Sequence, residues 1–205
     1  MRIKTGLIGI SMLVFIASGC SGGTHGATTS PSSSPTASSS PTASPTPSAD
    51  GGFMVTSADF ADGGSLPESA KGSAFGGQCN GANLSPELTW TGTPEGTAAY
   101  AVTLIDIDAD GFVHWTKADI PATVTEVAAG GADALDGVGG QTGNSAGTYF
   151  GPCPPGIEHR YVVTVYALDA PLGLGENFGI VDLRAGLKDH TLAEATLTGL
   201  ASHTG

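Results

Sequence analysis

The chain has 205 residues with 32 Gly, 13 Pro and only 13% charged side chains, enough for one domain with extensions and too poor in Lys and Glu for a helical bundle. Its 7 Lys and Arg stand against 19 Asp and Glu, a formal net charge of −12. A surface that acidic repels phosphodiester backbones and excludes nucleic acid as a partner, but a small anion site can still be built from backbone N–H groups and histidines.

In chain order, Arg2 and Lys4 precede an apolar run at 7–16 that is too short to span a bilayer, and Ala17-Ser18-Gly19 places small residues directly before Cys20. The pattern is a secretory signal whose end resembles a bacterial lipobox. Residues 1–19 are therefore expected to be cleaved, and a lipid on Cys20 to anchor the exported protein to the outer face of a bacterial cell membrane. Residues 20–52, with the run SPSSSPTASSSPTASPTPS, hold no large apolar side chain that could offset the entropy of ordering, so they read as a disordered tether. His25, alone in that stretch, is given no role.

The folded domain is expected over 53–205, mainly β with short helices. FMVTSADF at 53–60 alternates as a first strand, and 62–67 is a turn cluster. The glycine-rich loop AFGGQCNGA at 74–82 lacks the Lys and Ser/Thr of a phosphate-binding P-loop. Residues 84–90 read as a short strand with Leu84, Leu88 and Trp90 on one face, Trp90 belonging to the core. AAYAVTLIDI at 98–107 has the unbroken hydrophobicity of a strand covered on both faces. VHWTKADI at 113–120 returns as its hairpin partner after a turn at Gly111, which would set Asp106 opposite His114. Residues 124–147 read as a long functional or mobile loop. Next, GPCPPG at 151–156 is stiffened by three prolines, and YVVTVYAL at 161–168 is a buried central strand with His159 at its mouth. Residues 182–190 carry leucines at helical spacing with Asp182 as N-cap and a structural His190, and 192–200 form a last strand.

Cys79 and Cys153 make an even pair in an oxidising compartment and are expected to bridge, closing a loop whose constraint is worth roughly 4 kcal/mol in the chain-entropy model. Asp106, Asp108 and Asp110 with Gly111 suggest a calcium loop, but the closing glutamate would fall at 117, which is Lys117. A carboxylate beside His114 would raise the imidazole pKa and orient the ring, and His159 would bring a second imidazole, together able to grip an anion.

Three stretches resemble the phosphatidylethanolamine-binding protein family, in its bacterial Raf-kinase-inhibitor-like branch. GPCPPGIEHRYVVTVYALD is similar to a GPxPP…HRYxxxVYALD signature, NLSPELTW with Pro94 and Gly96 to an N-x-SPxLxW…PxGT stretch, and DIDADGFVHWTKADIPA to a DPDAP…HW…NIPA core. The resemblance implies a β-sheet sandwich, antiparallel or mixed, with a ligand pocket at one end. It also implies a phosphate-type or phospholipid-headgroup ligand held by Asp106, Asp108, His114, His159 and Tyr161, with Gly151, Pro152 and the residues to 155 as rim. Where such chains read DPDAP this one reads DIDAD, so Asp110 adds a negative charge beside the expected anion. A protein partner is also implied, since animal relatives inhibit a kinase and plant relatives act through protein contacts, although the kinase role does not carry over to an exported chain.

The reading favoured is a lipid-anchored binding protein, not an enzyme, for a small anionic or zwitterionic ligand, with no cofactor. A weak hydrolase or a metal-binding β-domain using the same Asp/His pocket is the alternative. No nucleophile stands out, since HExxH is absent and both domain cysteines are expected to be paired.

Overall fold

The computed structural model describes residues 52–73, 79–143 and 147–202. The leader, Cys20, His25 and most of the tether lie outside the described residues. Two sheets face each other. Strands β1 (Met54–Thr56), β3 (Leu88–Thr91) and β6 (Glu126–Val127) form the smaller one in the order β1-β3-β6. The larger runs β2-β9-β8-β4-β5-β7, with β2 Gly64–Ser65, β4 Ala99–Asp106, β5 Phe112–Pro121, β7 Val138–Gly139, β8 His159–Leu168 and β9 Thr191–Ala201. Only the β2–β9 pairing is parallel among those assigned in the sheets, so the sandwich is mixed, with an antiparallel body.

Strand alternation decides what each face of the large sheet buries. Tyr100, Val102 and Leu104 of β4 and Tyr161, Val163 and Val165 of β8 point inward and pack with Trp90 of β3 and Trp115 of β5. Ala99, Ala101 and Leu168 point the other way, against Leu183 and Leu187 of α1 (Ile180–His190). Both faces of β4 and β8 are thus covered, which is why their sequences are almost unbroken apolar runs. Trp90 meets Tyr100 edge-on with ring centroids 5.5 Å apart, placing it in the core as expected.

Several sequence readings need correction. The first strand is three residues long, and the strand expected over 84–90 begins only at Leu88, leaving Leu84 45% exposed. The stretch 124–147 is woven into both sheets through β6 and β7, with Val127 and Ala132 buried, and two-residue strands are too short for periodicity to reveal. Helix α1 is capped by Gly179, not Asp182. Asp182 sits three positions on, where its carboxylate accepts the Gly179 N–H at 3.3 Å. His190 bonds Asp169 at 2.8 Å, a structural tie at the far end of the helix.

The disulfide between Cys79 and Cys153 is present. It belongs to a strap at 149–155 that is fastened to Ala70, Gly72, Cys79 and Asn83. The Tyr149 hydroxyl donates to Ala70 O at 2.9 Å, and Gly72 N–H donates to Pro152 O at 2.9 Å. Approach is so close that a Cβ at Gly151 would lie 2.6 Å from Ala70 O, which only glycine avoids.

Candidate functional site

One end of the large sheet opens into a cavity of about 150 Å³ lined by Asp106, Phe112, His114, Phe150, His159 and Tyr161, with Ala109, Cys153, Pro154 and Pro155 completing the wall. Asp106 ends β4 and lies opposite Tyr161 in the register. His159 sits two residues before Tyr161 on the same face of β8. His114 arrives by a different device. Leu104 pairs with Trp115 and Ile105 with Val113, so His114 is the extra residue of a β-bulge. Without that shift, simple alternation would turn His114 away from the side that Trp115 occupies. The bulge instead delivers Phe112 and His114 to the cavity wall beside a core Trp115.

The two imidazoles have different partners. His159 Nδ1 lies 2.7 Å from Asp106 Oδ2, both groups buried, and a carboxylate there fixes the proton on Nδ1. His114 Nδ1 lies 2.6 Å from the carbonyl oxygen of Phe150. A carbonyl only accepts, so His114 Nδ1 also carries the proton and its Nε2 is the free atom. The sequence expectation paired Asp106 with His114, but the bulge sets Phe112 opposite Asp106 and the carboxylate goes to His159. The expected rise in the His114 pKa is also reversed. Burial pushes it below the ordinary 6.5, and this outweighs the opposing pulls of the Phe150 hydrogen bond and the Asp106 charge. His114 is therefore neutral at pH 7 when nothing is bound.

Burial, with the Asp106 charge second, holds the Tyr161 phenol far above its usual range, so it remains an O–H donor at any physiological pH. Its hydroxyl is buried beside Asp106, whose carboxylate favours keeping the proton on the phenol. Aromatic faces frame these groups. His114 stacks on Phe150 at 5.8 Å, meets Tyr161 edge-on at 5.1 Å and leans on Phe112 at 4.9 Å. No Lys or Arg lines the cavity, so positive charge there can come only from the imidazoles.

Asp108, Gly151 and Pro152 are not brought into the wall. Asp108 turns outward to a bidentate pair with Arg160, at 2.6 and 3.0 Å, and these hydrogen bonds hold its carboxyl at about 2. It also accepts the Arg160 N–H at 2.8 Å, tying the β4 end to the β8 mouth. Gly151 and Pro152 form the back of the strap whose front, from Cys153 to Pro155, is the wall. Asp110 is exposed in the turn at φ 52° and lies outside the wall, so the DIDAD run alters the turn and not the lining. The lining residues that sequence reading missed are Phe112, Phe150 and Ala109. Aromatics adjoining both HW and GPCPP were the available signal.

Other chemistries find less support. No group of three or more His, Cys, Asp or Glu among the described residues is placed to hold a metal ion. The run Gly143-Asn144-Ser145-Ala146-Gly147 fits a G-x-S-x-G pattern in sequence. It lies between β7 and β8 with no helix following it, unlike a nucleophile elbow, and Ser145 lies outside the described residues.

The phosphatidylethanolamine-binding protein family model matches residues 56–202. The chain belongs to that family. It is 42% identical to YbcL of Escherichia coli over 127 residues, covering 57% of this chain and 68% of that protein. It is 34% identical to LppC of Mycobacterium tuberculosis, a protein named as a lipoprotein, over 197 residues, or 91% of this chain and 90% of the relative. The crystal structure of YbcL superposes with a TM-score of 0.68 at 35% identity, covering 74% of this chain and 99% of that one. These matches bear out the mainly β sandwich and the family read from the three motifs. Among the described residues no helix is long and apolar enough to cross a membrane.

Proposed function

We propose that this family member is an exported, lipid-anchored binding protein whose domain, residues 53–205, holds a small phosphate-type or phospholipid-headgroup ligand between His114 and His159. The observation that carries the reading is the set of unused groups at the cavity. Both Nε2 atoms lack protein partners among the described residues, and both Nδ1 atoms are fixed from behind. An arriving phosphoryl group can either share its own proton with an Nε2 or draw one onto it. Proline and aromatic walls give a neighbouring apolar or ammonium group a surface to rest on. Binding is favoured over turnover because, among the described residues, no serine, threonine or free cysteine lines the cavity.

Calorimetric titration with inorganic phosphate and with phosphoethanolamine tests the ligand. Saturable binding is expected, weakened about tenfold or more in His159→Ala, the usual scale for one hydrogen bond to a charged group. Absence of binding, or equal affinity in the variant, would overturn it. The leader motif and the similarity to a relative named as a lipoprotein support the anchor at Cys20. In bacterial expression a Cys20→Ala variant should leave the membrane fraction, and unchanged partitioning would contradict the anchor.

A further inference from the structure

We propose that Asn83 is a positioning residue for His114, acting through the two peptide groups that flank Phe150. Asn83 lies in the loop before β3 at φ 56°, a left-handed conformation that Asn tolerates, and its N–H donates to Lys71 O at 2.9 Å. Its side-chain Oδ1 accepts the Gly151 N–H at 2.7 Å, and its Nδ2 donates to Tyr149 O at 3.2 Å. One partner only donates and the other only accepts, so the orientation of the amide is settled by its surroundings.

His114 grips the same two peptide groups from the opposite side. The Gly151 N–H held by Asn83 shares a peptide plane with the Phe150 carbonyl that accepts His114 Nδ1–H at 2.6 Å. The Tyr149 carbonyl held by Asn83 shares its plane with the Phe150 N–H, which donates to His114 O at 2.8 Å. Each plane is therefore bonded at both ends, and hydrogen bonds in series through a peptide polarise and strengthen one another. Asn83 thereby keeps the Phe150 carbonyl aimed at Nδ1, and that proton leaves His114 Nε2 as the free atom. Without Asn83 the strap between Tyr149 and Gly151 loses its hold on one side. The carbonyl can then tilt away, and the ring can adopt the Nε2–H tautomer or another rotamer.

The consequence for ligand rests on the reading of the cavity given above, but the effect on the tautomer does not, and the experiment separates them. Long-range proton–nitrogen spectra of the whole chain at pH 7 without ligand should show His114 as the Nδ1–H tautomer in the wild type. Asn83→Gly accepts the positive φ and removes both side-chain bonds, so His114 should shift toward an average of the two tautomers, with about tenfold weaker affinity for inorganic phosphate. Asn83→Asp keeps an acceptor for the Gly151 N–H but turns a second acceptor toward the Tyr149 carbonyl, so it too should shift His114 away from the wild-type tautomer. A wild-type Nε2–H tautomer would overturn the proposal, as would an unchanged His114 signature in a folded Asn83→Gly. If the tautomer shifts while the wild type binds no phosphate, the positioning role stands and the ligand reading falls.

Discussion

His114 and His159 look interchangeable in the sequence, each an imidazole near the end of an apolar strand, yet the fold gives one a carbonyl and the other a carboxylate. That difference fixes the pH behaviour at His114. Its native pKa lies below 6.5, so on acidification the unfolded chain takes up a proton there before the folded one does. This contribution to stability is present above pH 6.5 and is lost as pH falls toward the native value. An anion in the cavity reverses the preference by favouring the imidazolium. Sulfate, which keeps its charge across this range and has no proton to share, should bind more tightly from pH 7 to pH 5, by up to about tenfold per pH unit if one proton is taken up. Calorimetry at the two pH values checks the sign, and sulfate affinity independent of pH would contradict it. Motif reading found both histidines, Asp106 and Tyr161, but not which partner each would take, because pairing depends on the register of β4 against β5.

At the scale of elements, the bulge in β5 brings His114 to the cavity, and nothing in FVHWTK marks one residue as supernumerary. The long apolar runs of β4 and β8 were legible because burial on two faces leaves few polar residues, whereas β2, β6 and β7 were not, being two residues each. Asp182 misled as an N-cap because an acid in the first helical turn favours the helix start whether it sits at the cap or three residues on. Helix α1 closes the face of the sheet away from the cavity lining, with Leu183 fully buried there. Leu183→Ala should therefore cost about 2–5 kcal/mol in urea unfolding while phosphate affinity stays within about twofold. A loss of affinity comparable to that of His159→Ala would show that the two faces are not independent.

The described domain is a mixed sandwich whose open end is finished by the strap, and the strap is held by a disulfide, a buried tyrosine and an asparagine. The cysteine pair could be read from the number of cysteines and the compartment that the leader motif implies. The asparagine could not, since its role exists only once residues 83, 114 and 150 meet. An acidic chain can still hold an anion at such a place, because the field inside a small, apolar-walled cavity is set by the groups lining it more than by distant surface charge. The account stands on both imidazoles presenting Nε2 to one ligand. Nitrogen-resolved spectra of the histidine rings during a phosphate titration test this most directly: the Nε2 signals of His114 and His159 should move together toward the protonated position with one shared dissociation constant, while His190 stays still. Movement of His190 with His114 and His159 unchanged would contradict it.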